Sequence, residues 1–308
     1  MYKLPHVPKA RELIDNAFRA GAKEAKMIGM KNDSKRLTGE IKRVETASSI
    51  ICGDLSAIVK YFPSYDQMSE FEKCLMEIRV KKDSYKKSLA TVDWCNDRVL
   101  SLRNKTLRKL KTQKDPTESR VFLARAASFV KRISKDLDYL SIVKGVIREL
   151  PVLRDAPTLV VAGIPNAGKS TFCRTLTGSK IKIAPYPFTT VGIMVGYKRV
   201  RYTDYQIIDS PGILDRPMSE RNKVELQAIA ALKYLADVVL FIIDHQQDIE
   251  PQRKLLEEIK GSFESNIVTV VNDKGGATSK EYTIFNAKDE SECIRIFNKC
   301  FSLGKEDS

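Results

Sequence analysis

The stretch that decides the fold is Gly163-Ile-Pro-Asn-Ala-Gly-Lys169-Ser170-Thr171, which directly follows the apolar run Leu159-Val-Val-Ala162. It satisfies the pattern Gly-x-x-x-x-Gly-Lys-Ser/Thr, and its position predicts a buried strand, a tight loop and then a helix. Glycines in such a loop let consecutive backbone N–H groups turn inward around phosphate oxygens, and the helix N-terminus adds partial positive charge. The sequence therefore predicts a nucleotide phosphate site. A glycine-rich turn that matches by chance is the alternative.

Two residues of this loop have distinct predicted roles. Lys169 is expected to reach the β- and γ-phosphates, and Ser170 to hold Mg²⁺ through its hydroxyl. The predicted phosphate-binding residues are Gly163, Asn166, Ala167, Gly168, Lys169, Ser170 and Thr171.

The 308 residues are enough for about two domains, and 43% hydrophobic with 30% charged residues is typical of a globular protein. The longest apolar run, Val238–Ile243, is far shorter than the roughly 20 residues that span a bilayer. The N-terminus has no apolar stretch typical of a secretory signal. Six scattered cysteines with two histidines predict no zinc site and indicate reduced thiols. We therefore expect a cytoplasmic monomer with no membrane partner.

The positive charge is unevenly divided along the chain. Residues 1–150 hold 32 Lys and Arg against 19 Asp and Glu, a net charge of +13, whereas residues 151–308 hold 21 against 20, a net charge of +1. Such asymmetry indicates a polyanionic partner for the first half, nucleic acid before membrane.

Apolar residues in front of Pro151 recur at steps of three and four, which is typical of amphipathic helices. The predicted helical stretches are residues 9–21, ended by Gly21, then 37–62, 68–78, 85–110 and 122–147. Each narrow apolar stripe needs a partner helix to cover it. Residues 1–153 are therefore predicted to form an all-α antiparallel helical bundle.

One predicted helix carries a run of cations, since residues 98–114 contain no acidic side chain. The run consists of Arg98, Arg103, Lys105, Arg108, Lys109, Lys111 and Lys114. A solvated charged face is the usual explanation for such a run. In a region of net charge +13 we expect instead a surface that contacts the phosphate backbone of RNA.

After Pro151, short apolar runs alternate with helical stretches, which predicts an α/β domain with a mostly parallel sheet over residues 154–308. The predicted strands are residues 158–162, 192–200, 205–208, 238–243, 267–271 and 282–285. Only residues 201–204 separate the second strand from the third. Because this connection is too short for a helical crossover, the two strands are predicted to form an antiparallel hairpin.

A second acidic motif, Asp209-Ser-Pro-Gly212, lies at the predicted end of a strand. A P-loop enzyme needs such a carboxylate to hold Mg²⁺ and such a glycine to approach the γ-phosphate. Between the two motifs, Tyr186-Pro-Phe-Thr-Thr190 is the expected switch loop. Thr190 is the predicted second hydroxyl ligand of the metal, with Thr189 as the alternative. Lys169, Thr190 and Gly212 form the predicted catalytic set.

The base-recognition motif departs from the usual Asn-Lys-x-Asp, because the sequence has Asn272-Asp-Lys-Gly275. Asn272 is in place, but a glycine occupies the position of the guanine-binding aspartate. Either Asp273 serves through a shifted loop, or selectivity for guanine is weak. Ala287 and Lys288, in Asn286-Ala-Lys288, are expected to meet the guanine O6 with backbone N–H groups.

These motifs, together with the run Asp209-Ser-Pro-Gly-Ile-Leu-Asp-Arg-Pro217, resemble the nucleolar GTP-binding protein family, Obg-related GTPases of large-ribosomal-subunit assembly. Residues 8–14, residues 82–89 and Leu150-Pro151 resemble the N-terminal helical domain of that family. Because the sequence stops just after the predicted G domain, we expect it to resemble the short archaeal-type form, without the long C-terminal extension of eukaryotic members. The resemblance implies GTP and GDP as ligands, ribosomal RNA and large-subunit precursors as partners, and a nucleolar location in a eukaryote.

Two residues bear on the rate of hydrolysis. Ile213 follows Gly212 where many GTPases carry a water-orienting glutamine, so hydrolysis is expected to be slow, on the order of 10⁻³ per second or less. Asn166 matches the P-loop asparagine that helps bind K⁺ in related GTPases. A loop-capping role for its side chain is the alternative.

The sequence thus predicts a slow GTPase that acts as a nucleotide-controlled assembly factor of the large ribosomal subunit. One alternative is a pseudo-GTPase placeholder, or RNA-binding module, with degenerate base selectivity. An ATP-using P-loop enzyme is the other, and Asn272 disfavours it.

Overall fold

A computed structural model describes residues 2–28, 33–178, 182–184, 186, 192–209, 214–216 and 218–303. The chain divides into two compact units. The first comprises Met1–Gln67 and Val80–Arg148, and the second comprises Met68–Arg79 and Glu149–Ser308.

Within the described residues, six helices precede the first strand. They are α1 (Ala10–Ile28), α2 (Asp33–Tyr61), α3 (Glu70–Glu77), α4 (Lys82–Gln113), α5 (Glu118–Arg132) and α6 (Ser134–Arg148). All of them except α3 belong to the first unit. The predicted helical character of residues 1–153 is confirmed, and the long stripes become α2 and α4.

The prediction that Gly21 ends the first helix is wrong, because α1 continues to Ile28. Gly21 is buried, and a Cβ atom at this position would lie 2.8 Å from the carbonyl oxygen of Arg43 on α2. A glycine inside a helix costs about 1 kcal/mol relative to alanine. Here the missing side chain allows α1 and α2 to pack closely.

The prediction of one helix over residues 122–147 is also wrong, because α5 ends at Arg132 and α6 begins at Ser134. Ile133 between them is buried and has φ −93° and ψ 11°, outside the helical region. The interruption is a single residue, so the apolar spacing runs through it almost undisturbed. Periodicity alone could not locate the break.

The core of the first unit is apolar and contains a few satisfied polar groups. Leu13, Ile51 and Leu55 are fully buried. The hydroxyl of buried Tyr85 donates to the carbonyl oxygen of Pro63 at 2.6 Å, where the chain leaves α2.

Within the described residues, the second unit contains, besides α3, a seven-stranded sheet and four further α-helices. Its elements in chain order are β1 (Thr158–Ala162), α7 (Lys169–Thr177), β2 (Lys182–Ala184), β3 (Ile193–Val200), β4 (Thr203–Asp209), α8 (Lys223–Leu232), β5 (Val238–Asp244), α9 (Ile249–Ser262), β6 (Asn266–Asn272), β7 (Thr283–Phe285) and α10 (Glu290–Cys300). The strand order is β2-β3-β4-β1-β5-β6-β7.

The predicted hairpin is confirmed, since β3 pairs antiparallel with β4. The strands β4, β1, β5, β6 and β7 are parallel to one another. The sequence did not reveal β2, which is three residues long and extends the hairpin antiparallel to β3. Two of its residues are exposed, so it lacks the apolar run by which the other strands were found.

The carboxyl ends of the parallel strands carry the functional loops. Every residue of β1 and β5 is buried, as expected for central strands covered on both faces. Phe172 of α7 packs edge-on against Phe285 of β7, with ring centroids 5.7 Å apart. Such loops at the carboxyl ends of central strands are the usual place of a ligand in an open α/β sheet.

Helix α3 packs within the second unit, against α8. It begins with a capping box, in which the Ser69 hydroxyl accepts from the N–H of Glu72 and the Glu72 carboxylate accepts from the N–H of Ser69. Phe71 stacks on Tyr186 with ring centroids 6.3 Å apart, and the Tyr186 hydroxyl donates to the carbonyl oxygen of Ala228 on α8. The predicted helical stretch of residues 68–78 is therefore part of the second unit.

No helix among the described residues combines the length and the apolar character that crossing a membrane requires.

Candidate nucleotide site and basic helix

The phosphate loop connects β1 to α7, as the sequence predicts. Gly168 has φ +105°, and a Cβ atom there would lie 2.3 Å from the Nδ2 atom of Asn272. Both the backbone conformation and the space therefore require glycine at this position. The N–H of Gly163 donates to the carbonyl oxygen of Leu214 at 3.0 Å, which ties the loop to the segment after β4.

Lys169 begins α7 and is almost entirely buried. Its Nζ atom donates to the carbonyl oxygens of Gly163 at 2.7 Å and Ile164 at 2.8 Å. Burial lowers the pKa of the ammonium group, and the charges of Asp209 and Asp215 partly oppose that shift. The cation is thus held inside the loop, where a phosphate would be received.

Ser170 and Asp209 meet beside the loop. The Ser170 hydroxyl donates a hydrogen bond to the Oδ2 atom of Asp209. Burial raises the pKa of Asp209, and the bond from Ser170 and the charge of Lys169 partly offset the shift. The Oδ1 atom of Asp209 is buried and has no hydrogen-bond partner among the described residues. A hydroxyl and a carboxylate placed together, with one orphaned oxygen, are the oxygen ligands that Mg²⁺ prefers.

Asn272, at the end of β6, connects the phosphate loop to the loop after β7. Its Nδ2 atom donates to the carbonyl oxygen of Ala167 at 2.9 Å, and its Oδ1 atom accepts from the N–H of Ala287 at 3.0 Å. Thr175 of α7 donates to the carbonyl oxygen of Ala287 at 2.9 Å. Asn272 is buried, so these bonds fix the two loops against each other.

Asp273 takes part in the structure of its own loop. Its Oδ1 atom accepts from the N–H groups of Gly275 at 2.7 Å and Ala277 at 3.1 Å. These backbone hydrogen bonds lower the pKa of the carboxyl group. The Asn286 side chain likewise accepts from the N–H of Lys288 at 3.0 Å. Both loops therefore use side-chain acceptors to hold backbone N–H groups of the same loop.

One cavity of about 540 Å³ joins predicted phosphate-binding and base-binding residues. It is lined by Asn166, Gly168, Thr171, Asn272, Asp273, Lys274, Gly275, Asn286, Ala287 and Lys288. The other predicted phosphate-binding residues, Gly163, Ala167, Lys169 and Ser170, lie in the loop and helix start beneath it. The volume falls within the range typical of small-molecule sites.

The sequence analysis missed Lys274 and Asp244. The Nζ atom of Lys274 lies 2.7 Å from the carbonyl oxygen of Asn166 and 2.7 Å from Oδ2 of Asp244. Burial acts to raise the pKa of Asp244, but hydrogen bonds from Lys274, Gln246 and Gln247 outweigh it and lower that pKa. Asp244 could have been predicted from its position, because it is the acidic residue that ends an otherwise apolar strand.

Several predicted residues lie outside the described part of the chain. They are Thr190, its alternative Thr189, Gly212 and Ile213. Tyr186 is the described residue of the predicted switch loop, and it is buried.

The predicted RNA-binding residues lie on α4 and at its end. Arg98, Lys105, Arg108, Lys111 and Lys114 are exposed, whereas Arg103 is half-buried. Lys109 forms an ion pair with Glu118 at 2.8 Å. Among the described residues, Glu118 of α5 thus supplies one counter-charge to this run, which has no acidic residue of its own.

Two family models match the chain. One, described as the NOG1 N-terminal helical domain, matches residues 1–153, and the other, described as a 50S ribosome-binding GTPase, matches residues 158–273. The chain is 36% identical over 281 residues to an uncharacterized protein (MJ1408) of Methanocaldococcus jannaschii, which covers 88% of this chain and 79% of that protein.

The chain is also 36% identical over 226 residues to nucleolar GTP-binding protein 1 of Saccharomyces cerevisiae, covering 70% of this chain and 35% of that protein. It spans 44% of the protein of the same name from Eremothecium gossypii, at 31% identity over 283 residues. The chain thus spans less than half the length of these two relatives. The solved G domain of the T. maritima FeoB iron transporter is 21% identical with a TM-score of 0.40, and covers 48% of this chain and 98% of that domain.

The phosphate loop, the carboxylate of Asp209 and the amide of Asn272 surround one site in the unit that the GTPase model matches. The helical region that precedes it in the chain matches the model of the NOG1 N-terminal helical domain over residues 1–153. The chain belongs to the NOG1 family of GTP-binding proteins, and its second unit is a P-loop GTPase domain.

Proposed function

We propose that this protein binds GTP and GDP with Mg²⁺, hydrolyses GTP slowly, and acts as a nucleotide-controlled assembly factor of the large ribosomal subunit. The observation that carries the nucleotide part is the bridge from Asn272 to Ala167 and Ala287, which joins the phosphate loop to the base side of one cavity. The family description of a 50S ribosome-binding GTPase supports the ribosomal part.

Each part of the site has a defined task in this proposal. The backbone N–H groups of residues 163–171 receive the phosphates, and the Lys169 ammonium group neutralises them. Lys169 is buried and its two present acceptors are backbone carbonyls, so it can exchange them for phosphate oxygens with little movement. Charge-assisted bonds to phosphate are stronger than bonds to neutral carbonyls.

The residues present fit Mg²⁺. Ser170 and Asp209 would hold the ion, directly or through water, and Thr190 is proposed as a further ligand. When bound, the ion neutralises charge that develops on the β- and γ-phosphate oxygens. We propose Lys169, Thr190 and Gly212 as the residues that act on the γ-phosphate, and K⁺ near Asn166 as a second cation.

We propose that the base is guanine and that it lies near Asn272, Asp273, Ala287 and Lys288, which line the cavity. A specific observation also favours the alternative of relaxed base selectivity. Asp273, Asn272 and Asn286 already occupy nearby backbone donors, namely those of Gly275, Ala287 and Lys288. Guanine would have to displace these side chains to bond with the same N–H groups. A tightly selective site would instead leave such donors free for the base.

In this proposal the basic surface of α4 contacts ribosomal RNA, and the nucleotide state controls that contact. Phosphate contacts would come from the exposed residues Arg98, Lys105, Arg108, Lys111 and Lys114, with half-buried Arg103 and ion-paired Lys109 in support. A location where ribosomes are assembled, the cytoplasm or the nucleolus, follows from this role, and the protein is proposed to act as a monomer.

Titration of the full chain with GTP, GDP, ATP and XTP at fixed Mg²⁺ tests the nucleotide part. Tight binding of GTP and GDP over ATP supports a GTPase, and equal binding of all four supports the pseudo-GTPase. Co-sedimentation with large-subunit precursors, with a GTP analogue and with GDP, tests the assembly part. Binding that ignores the nucleotide would contradict nucleotide control.

A further inference from the structure

The chain contains a single tryptophan, Trp94, and it lies on α4 next to the basic run. Its ring is partly exposed and packs edge-on against Phe129 of α5, with centroids 6.0 Å apart. Two guanidinium groups lie over it, those of Arg98 and Arg132, each 5.7 Å from the ring centroid. An aromatic ring flanked by two cations is thus presented on the surface of the first unit.

Among the described residues, no carboxylate holds either guanidinium group over the ring. Within the described part of the chain, Arg98 and Arg132 form no ion pair, although Asp97 is adjacent in sequence to Arg98. Both arginines are exposed. Their positive charge is therefore available to an external anion, whereas Lys109 further along α4 is already paired.

Trp94 lies in line with the exposed cations of α4. Trp94, Arg98, Ser101, Lys105 and Arg108 follow one another at steps of four, three, four and three, so they share one face of the helix. All except Trp94 are exposed. At 1.5 Å per residue, the line is about 21 Å long. It begins with an aromatic ring and continues with three cations and one serine, without an acidic residue.

A line of this kind matches a nucleic acid strand with unpaired bases. Single strands are bound by cations that follow the backbone and by aromatic rings on which bases stack. A paired base cannot reach such a ring, because its faces are covered by its neighbours in the helix. A surface that needed phosphate contacts alone would not require the ring.

We propose that the cluster of Trp94, Arg98 and Arg132 binds an unpaired base of an RNA loop or strand, with the indole stacked on the base. The two guanidinium groups turn from the ring to the flanking phosphates. An exposed cation–π contact is worth about two- to fivefold in an equilibrium constant, and stacking of a base about five- to 150-fold. Loss of both cation–π contacts therefore costs about four- to 25-fold, and base stacking together with the two new charge-assisted phosphate contacts offsets that cost.

This inference rests on the proposed RNA contact of α4 and deepens it, since it defines the RNA as one with an unpaired base. Because Trp94 is the single tryptophan, its intrinsic fluorescence reports on this position alone. The full chain is titrated with a single-stranded RNA of about twelve nucleotides, and with a blunt duplex of equal phosphate number. Anisotropy of the labelled RNA measures binding independently.

We expect saturable quenching of Trp94 by the single strand and little by the duplex. Trp94→Leu should weaken single-strand binding about fivefold or more while leaving the salt slope unchanged, because it removes no charge. Trp94→Phe keeps an aromatic ring against Phe129 and should retain most of the affinity, which separates stacking from misfolding. Tyr61→Leu is the matched control, since Tyr61 is an exposed ring with Lys60 over it at 5.3 Å.

The outcomes separate this inference from the proposed function. Binding seen by anisotropy without quenching, or equal quenching by duplex, overturns base stacking and leaves the RNA contact standing. Equal loss of affinity in Trp94→Leu and Tyr61→Leu also overturns it. If neither RNA binds at low salt, both the stacking and the RNA contact of α4 are wrong.

Discussion

Ser170 donates a hydrogen bond to Asp209, although 39 residues separate them in the chain. One residue belongs to the start of α7 and the other ends β4, and β4 lies beside β1 in the sheet. The sheet order therefore brings two metal-type ligands from separate motifs to one point. This pair is the basis of the prediction for Asp209 below.

Lys169→Ala should reduce GTP and GDP affinity at least tenfold, or about 1.4 kcal/mol, because it removes the cation that meets the phosphates. The variant should remain folded, because water can replace the Lys169 ammonium group as the hydrogen-bond donor to the two backbone carbonyl oxygens. Calorimetric titration measures the affinity, with Lys254→Ala, an exposed lysine on α9, as the matched control. Equal affinities in the two variants would remove Lys169 from the site.

Asp209→Asn should abolish the dependence of nucleotide affinity on Mg²⁺, while raising the unfolding temperature of the nucleotide-free protein at neutral pH. Burial raises the pKa of Asp209, so the folded state holds the proton more tightly than the unfolded state. Stability then falls as pH rises from the unfolded to the folded pKa, and the full penalty remains above that window. Asparagine carries no such penalty.

Thermal unfolding of the wild type and Asp209→Asn across pH 4 to 9 measures this difference. Protons should also compete with Mg²⁺, so the gain in nucleotide affinity on adding Mg²⁺ should shrink as pH is lowered. A wild-type protein whose stability advantage over the variant grows with pH would contradict the assignment.

Asp273→Asn should move base preference from GTP toward XTP, if Asp273 accepts from the guanine N1 and N2 hydrogens. Asparagine still offers an oxygen to the N–H groups of Gly275 and Ala277, so the loop should persist. Competition between GTP and XTP measures the ratio, with Asp273→Ala as a control for loss of the loop. A ratio that does not change in Asp273→Asn would favour the relaxed base site.

Asn166→Gly should make GTP hydrolysis equally slow in potassium and sodium, if Asn166 binds the activating cation. Asn166 has φ +65°, a conformation that glycine adopts freely and alanine does not, so glycine removes the side chain without backbone strain. Single-turnover hydrolysis in the two salts is the measurement. A wild type that shows no preference for potassium would end the potassium hypothesis and leave the GTPase intact.

Neutralising Lys105, Arg108 and Lys111 together should weaken RNA binding and flatten its salt dependence. Each phosphate contact contributes about −0.7 to −0.9 to the slope of log affinity against log salt. The three are exposed and unpaired in the described part of the chain, whereas Lys109 is neutralised by Glu118. Filter binding at several salt concentrations measures the slope.

GTP affinity should not change in that triple variant. The control for charge alone is a triple neutralisation of Lys254, Lys233 and Lys280 in the GTPase domain, which are also exposed and unpaired in the described part of the chain. An identical salt slope in the two variants would contradict the assignment to α4.

The sequence by itself determined the elements whose signals are local. The run from Leu159 to Thr171 predicted β1, the phosphate loop and α7, because strand, glycine and helix signals lie within a few residues of one another. The long α2 and α4 followed from apolar spacing, and the hairpin of β3 and β4 followed from a connection too short for a crossover. Asn272 and Asp209 could be named because each directly ends an apolar strand.

The tertiary structure alone decided which distant groups meet. Gly21 lies inside α1 where α2 approaches too closely for a side chain, and its sequence neighbours do not indicate that contact. Asn272 bonds to Ala167 across 105 residues, and Lys274 bonds to Asn166 across 108. Such bonds depend on strand order and loop position, which periodicity does not encode. The same reason explains Trp94, whose flanking Arg132 comes from another helix and lies 5.7 Å away only after α4 and α5 have packed.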